Sequence, residues 1–125
     1  MGGSTSLNKS LFTSEQMANW TKDISAEAWE KKVLKNYINS DVITEIPASR
    51  KKRFVILKWL VNKFDWDRTY TEKEVNEIIK RHHQDSATLR REFIGYKLMK
   101  RDKGIYERLT ENLWQSEQKM QQLSN

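Results

Sequence analysis

The chain has 125 residues, of which 37% are hydrophobic and 32% charged, so one small, strongly solvated domain is expected rather than a disordered chain or two domains. It has no cysteine, which excludes disulfides, thiolate metal ligands and cysteine nucleophiles and fits a cytoplasmic location. The net charge is +6, and no apolar run approaches the roughly 20 residues that span a bilayer, so no membrane contact is expected.

The first 40 residues contain a small-residue start and two predicted helices. Residues 1–12 are interpreted as a flexible leader because Gly2–Ser6 is a run of small residues, and whether Met1–Ser6 is native is left open. Residues 13–40 are predicted to form a helical extension, with a short helix over 13–20 and a longer one over 25–39. The apolar residues of the longer helix follow helical spacing, namely Trp29, Val33, Leu34, Tyr37 and Ile38.

Residues 41–109 are predicted to form the main domain, which begins with a connector and a helix. The segment 42–46 alternates weakly and stops at the single proline, Pro47, so it is predicted to be an extended connector or a short edge strand. A helix over 50–64 follows. Its apolar residues share one face, namely Phe54, Leu57, Leu60, Val61 and Phe64.

Two further helices are predicted from their capping residues. Thr71 and Glu74 have the spacing of a capping box, in which each side chain bonds to the other's backbone N–H. Asp85 or Ser86 is placed to cap the next helix. The inward residues of the two helices are Val75, Ile78 and Ile79, then Leu89 and Phe93, with Gly95 placed to end the second.

A basic β-hairpin is predicted after the third helix of the main domain. Its strands are 97–101 and 105–108, and Asp102-Lys103-Gly104 supplies the turn. Residues 110–125 are predicted to be a C-terminal helix or a flexible tail, with Leu113, Met120 and Leu123 at near-heptad spacing. The order of elements predicts a mostly α (α+β) fold: a winged helix-turn-helix with a three-helix core, a small hairpin wing and extra N-terminal helix or helices.

Positive charge is concentrated on the predicted helix-turn-helix. Residues 48–104 contain 16 Lys and Arg against 8 Asp and Glu, whereas the rest of the chain has 7 against 9. Attraction to phosphates requires such a concentration, although lysine-rich surfaces also serve solubility alone. Double-stranded DNA is therefore the expected partner.

Candidate base-contacting residues lie on the third helix. When Leu89 and Phe93 are buried, Ser86, Thr88, Arg90 and Arg91 remain for solvent or for the major groove. Arginine binds guanine bidentately, and serine or threonine can bond to a base or a phosphate. The alternative is that the two arginines only solvate the helix or pair with Glu92 and Asp85.

Candidate phosphate contacts lie on the first helix and the hairpin. Arg50, Lys51, Lys52 and Arg53 stand in a first helical turn, where the helix dipole favours anions. Phosphate contact would compensate for this arrangement, and so would salt bridges to Glu45 or Asp41. The hairpin candidates are Lys97, Lys100, Arg101 and Lys103.

Catalysis, metals and cofactors are not expected. The sequence has no glycine-rich phosphate loop, HExxH, GxSxG or close carboxylate pair. His82-His83 with Asp85 lacks further ligands at metal spacing. Most of the five tryptophans are expected to pack, although exposed ones would suit single-stranded RNA.

Residues 33–108 resemble a bacterial domain family of unknown function. The family is found alone and at the C-terminus of predicted transcriptional regulators, and the resemblance implies a winged-helix-like fold and a regulatory role. The matching stretches are 46–53, 57–60, 70–79, 87–92 and 99–101, with sequences IPASRKKR, LKWL, YTEKEVNEII, ATLRRE and MKR.

The sequence therefore predicts a sequence-selective DNA-binding protein of bacterial transcription. Useful affinity would need a homodimer, with the contact provided by helix 25–39 or by the tail Leu113–Leu123. The alternative is a protein-interaction module in which Arg90 and Arg91 meet an acidic partner, since a fold does not fix a function.

Overall fold

In the computed structural model, residues 14–111 form four helices and two small antiparallel sheets, a mixed α+β fold. The structure describes residues 14–111 and Trp114, with side chains from residue 25 onward. The chain divides between Lys32 and Val33 into two units. The predicted leader and the heptad-like residues Leu113, Met120 and Leu123 lie outside the described residues. The helices of the described part are not long and apolar enough to cross a membrane.

Helix α1 runs without interruption over Ser14–Tyr37. The prediction of two separate helices was wrong, because residues 21–24 contain no glycine or proline that would break the backbone hydrogen bonding. The helix also ends earlier than predicted, since Ile38–Asn39 forms strand β1. A two-residue turn at Ser40 and Asp41, with φ of 51° and 66°, joins β1 to β2 at Val42–Ile43. The segment 42–46 was predicted to be an extended connector or a short edge strand, and its first two residues form the short strand β2, which confirms this prediction there.

Helix α2 covers Arg50–Val61, and Ser49 caps it by accepting a hydrogen bond from the backbone of Lys52 at 3.3 Å. It ends three residues before the predicted end, and Phe64 lies in the following turn. Four of the five predicted core residues are buried, while Phe54 is half-buried and stacks on Tyr96 at 5.5 Å. Val55 and Ile56 are buried as well, so α2 is covered on more than one face.

Both predicted caps of the next two helices are confirmed. Helix α3 covers Glu72–Lys80; Thr71 Oγ1 accepts from Glu74 N at 3.2 Å, and Glu74 Oε1 accepts from Thr71 N at 2.9 Å. Helix α4 covers Ser86–Gly95, with Asp85 Oδ1 accepting from Thr88 N at 3.2 Å. Leu89 and Phe93 are fully buried, as predicted, and hold α4 in the core.

A three-stranded sheet joins the hairpin to the helices. Strand β3, Thr69–Thr71, lies between α2 and α3; β4, Met99–Asp102, and β5, Ile105–Arg108, form the hairpin. The order is β3-β5-β4, and both pairings are antiparallel. The hairpin turn has positive φ at Lys103 and Gly104, 53° and 81°, as a two-residue type I′ turn requires.

The hairpin begins two residues later than predicted because Lys97 belongs to the end of α4. Lys97 has a φ of 62°, and Leu98 N and Lys97 N donate to Phe93 O and Ile94 O at 2.9 and 3.2 Å. This is the Schellman motif, in which the left-handed position is usually glycine. Gly95 is the last helical residue and does not occupy that position.

Lys97→Gly is expected to raise the free energy of unfolding by about 0.5–1 kcal/mol. A non-glycine residue in the left-handed conformation lowers stability by about 1–2 kcal/mol. Glycine removes this cost, but it loses more backbone entropy on folding, which reduces the gain by about 0.5–1 kcal/mol. Urea unfolding followed by circular dichroism measures the difference. Lys97→Ala is the control, because it removes the charge and keeps the strain; an equal gain in both variants would contradict the explanation.

The cap at Asp85 makes α4 sensitive to acid. Hydrogen bonds from the hydroxyl and the backbone N–H of Thr88 lower the pKa of Asp85 from its ordinary value of 3.8. The ionised carboxylate of Asp85 therefore contributes to stability above its ordinary pKa. This contribution is lost as the pH falls through the lower pKa that Asp85 has in the folded state. Asp85→Asn keeps a capping oxygen without this titration. We expect the variant to lose less stability than the wild type between neutral pH and a pH below 3.8, measured by urea unfolding; equal losses would assign the acid sensitivity elsewhere.

Candidate nucleic-acid interface

Helix α4 turns one side toward solvent because Leu89 and Phe93 fix the opposite side in the core. Ala87, Arg91 and Gly95 are exposed on this side, which we call the outer face of α4. Arg90 and Ile94 border it on one flank, about 100° and 140° from Leu89 on a helical wheel. Thr88 and Glu92 border it on the other flank.

The four predicted base-contacting residues occupy different environments. Arg91 is exposed on the outer face, whereas Ser86 is only 7% exposed. The hydroxyl of Thr88 donates to Asp85 Oδ2 at 2.8 Å, and Arg90 is half-buried. Arg91 is thus the predicted contact with the freest access to a ligand. A role in base contact stays a prediction for all four.

Polar contacts from α3 hold Arg90, and one of these α3 residues also bonds to the hairpin. Its Nη1 donates to Asn76 Oδ1, and its Nε lies 3.6 Å from Glu72 Oε1. The hydroxyl of Tyr106, on β5, donates to the same Glu72 oxygen at 3.0 Å. Burial and this hydrogen bond raise the pKa of Tyr106, which keeps the hydroxyl protonated as a donor. Glu72 therefore links the hairpin to α4.

A cavity of about 300 Å³ lies between α4 and the hairpin, and we call it the notch. Its lining residues are Arg90, Arg91, Ile94, Arg101 and Tyr106. Three guanidinium groups, and no carboxylate, are among these residues. Positive charge is therefore concentrated at this one opening on the surface.

The hairpin cations do not all belong to the notch. Arg101 lies opposite Tyr106 in the strand pairing, with its guanidinium 5.9 Å from the ring, so it shares the notch face with that residue. Lys100 lies opposite Glu107, 3.6 Å from its carboxylate, on the other face of the strand. Lys103 is in the exposed turn, and Lys97 is exposed at the end of α4. The structure thus brings Arg101 together with Arg90 and Arg91.

The first turn of α2 lies beside the other flank of α4. The Tyr96 hydroxyl donates to Arg50 O at 3.4 Å, and Arg53 Nε lies 3.6 Å from Glu92 Oε1. Arg50 and Lys51 are exposed, Lys52 is half-exposed, and this turn has no acidic residue. Asp41, one of the predicted salt-bridge partners, bonds to Lys63 at 3.1 Å. Cations therefore stand on both flanks of the outer face of α4.

Sequence reasoning missed several residues of this surface. Ala87 and Ile94 were passed over because they carry no charge or polar group, although alanine can contact a thymine methyl group. Glu72 and Asn76, four residues apart and therefore on one face of α3, could have been recognised as a polar pair. Their contacts to Arg90 and Tyr106 join distant parts of the chain and have no local signal.

Two tryptophans outside this surface, Trp59 and Trp66, have structural partners. Trp59 meets His82 edge-on at 5.3 Å, and Lys63 lies over its ring at 4.5 Å. Trp66 is 43% exposed, but the guanidinium of Arg108 stacks on it at 3.6 Å. Within residues 14–111, the side chains described include no group of three or more His, Cys, Asp or Glu that could hold a metal ion.

The fold and the notch define an α+β domain with clustered arginines between a helix and a hairpin. A family model described as an uncharacterized protein conserved in bacteria (DUF2087) matches residues 42–108, more than half of the chain. The chain belongs to this family. No curated protein and no solved structure matched it.

Proposed function

We propose that the protein is a winged helix-turn-helix that binds double-stranded DNA in a sequence-selective manner and regulates bacterial transcription in the cytoplasm. Support for the fold comes from the order of elements after residue 49: helix, strand, two helices and a hairpin. Strand β3 and the hairpin form one sheet, and the hairpin lies beside α4, which supports its interpretation as a wing. In this role α4 is the recognition helix.

One observation carries the proposal: the outer face of α4 presents Arg91 between two groups of cations. The first turn of α2 stands on one flank, and Arg101 stands on the other. In this mechanism Arg91 enters the major groove, while the cations of α2 and the hairpin neutralise phosphates on either side. No group is assigned a catalytic role.

Selection from a pool of random duplexes, followed by titration of the recovered sites across a salt series, tests the proposal. We expect an enriched motif, with half-sites about one helical turn apart if α1 or the tail forms a homodimer. The logarithm of affinity should fall linearly with the logarithm of salt concentration. No enrichment, with binding gone at physiological salt, would contradict sequence-selective binding.

A protein-interaction module is the alternative. It would use the same arginines against an acidic partner surface and would bind DNA weakly at any sequence. The exposed large apolar residues of the described part, Val42, Trp66 and Ile105, lie on three separate segments. Single exposed apolar residues are common on protein surfaces, so they do not favour this alternative over DNA.

A further inference from the structure

We propose that the notch is a binding site for a phosphate group. Arg90, Arg91 and Arg101 line the same cavity, although they come from two different elements of the fold. The planar guanidinium group matches the oxygens of a phosphate with two parallel hydrogen bonds. Ile94 and the ring of Tyr106 complete the wall with apolar surface, which suits the sugar carbons beside a phosphodiester.

Two of the three arginines, Arg90 and Arg91, are partly held in place before a ligand arrives. Arg90 is bonded to Asn76 and lies beside Glu72, and Arg91 Nε donates to Ala87 O at 3.3 Å. Each guanidinium has five N–H donors, so Arg90 keeps donors for a phosphate, with Arg101 beside it, while the terminal N–H groups of Arg91 remain for the base edge. A side chain that is already held loses less entropy on binding, which favours affinity at this site.

The charge balance around the notch favours an anion. Glu72 is the carboxylate that contacts Arg90, and it also accepts the hydrogen bond from Tyr106. One carboxylate does not balance three guanidinium groups. A phosphate placed among them would offset their mutual repulsion, which is stronger in a partly enclosed cavity than in open water.

The expected source of the phosphate is the DNA backbone, and this step rests on the proposed function. If α4 occupies the major groove and the hairpin lies beside the minor groove, the sugar–phosphate strand between the two grooves passes over the notch. A small phosphorylated ligand has the same chemistry and is the second source. The binding of phosphate itself does not depend on the proposed function.

The first experiment uses inorganic phosphate on the full chain. The thermal midpoint is measured in chloride and in phosphate at equal ionic strength and pH, for the wild type and for two variants. Arg101→Ala removes a notch charge, and Lys35→Ala removes an exposed charge on α1 that is not part of the proposed DNA-binding surface. We expect phosphate to raise the midpoint of the wild type and of Lys35→Ala, because a ligand of the folded state stabilises it. The rise should be lost in Arg101→Ala, whose midpoint in chloride verifies folding.

The second experiment identifies the source with duplexes that carry one neutral methylphosphonate in place of a phosphate. At one backbone position the substitution should lower wild-type affinity about tenfold and leave Arg101→Ala unaffected. Such coupling assigns the notch to the DNA backbone. Arg101-dependent phosphate binding without coupling assigns it to a small phosphorylated ligand.

The absence of both effects would overturn the proposal. If the protein binds no duplex at all, the proposed function fails, and the thermal measurement alone decides whether the notch binds phosphate. The two proposals can therefore fail separately.

Discussion

Arg91→Ala is expected to lower affinity for a preferred duplex by about 1–3 kcal/mol, or about 5- to 150-fold. Arg91 is exposed on the outer face of α4, and its Nε is already used by the backbone of Ala87. Its terminal N–H groups are therefore placed to bind a guanine edge bidentately. On unrelated DNA the loss should be small, because phosphate contacts dominate non-specific binding.

The control for this prediction is Lys35→Ala, which removes one positive charge on the exposed surface of α1. Fluorescence anisotropy with a preferred and an unrelated duplex gives the affinities of the wild type and of both variants for each duplex at one salt concentration. Lys35→Ala should change both affinities little. If Arg91→Ala weakens the two duplexes equally, Arg91 contacts phosphate and does not determine specificity.

Phe93→Ala is expected to have the largest effect on stability, a loss of about 3–5 kcal/mol in the free energy of unfolding. Phe93 is fully buried, meets Phe64 edge-on at 5.7 Å, and accepts the hydrogen bond that ends α4 through its backbone oxygen. Because small domains have only about 5–15 kcal/mol of total stability, the variant should be close to unfolded. Urea unfolding measures the loss.

The matched variant is Ile94→Ala at the next position. Ile94 is half-exposed and borders the notch, so its truncation should cost much less stability. Equal losses in the two variants would mean that α4 is not fixed in the core by Phe93. The orientation of the outer face would then have to be reconsidered, because that orientation depends on which side of α4 is buried.

The parts of the fold that the sequence predicted well are those with a local physical cause. The capping box at Thr71 and Glu74 and the turn at Lys103-Gly104 are each fixed by neighbouring residues, and both were located correctly. The same reasoning failed where the usual residue is missing. Ser40, Asp41 and Lys97 adopt positive φ without being glycine, so neither the β1–β2 turn nor the left-handed residue that follows α4 gave a glycine signal, although α4 does end at Gly95 as predicted.

The candidate site was predictable only in part, for a related reason. Helical spacing and the burial of Leu89 were enough to place Arg91 on the exposed side of α4. The partners of Arg90 come from α3, and Tyr106 lies 34 residues from the carboxylate of Glu72 that it contacts. Contacts over such distances depend on how the helices pack, which residue spacing within one element does not determine.

Amide chemical-shift mapping with a duplex tests the central claim most directly. Titration of isotope-labelled protein with a short duplex at low salt reports which backbone positions contact the DNA. We expect the largest changes at Ala87, Arg91 and Arg101, with smaller changes in the first turn of α2 and none near Asp41 and Lys63. Changes that are absent from α4 and the hairpin, or that centre on Trp66, would contradict the assignment of this surface to DNA.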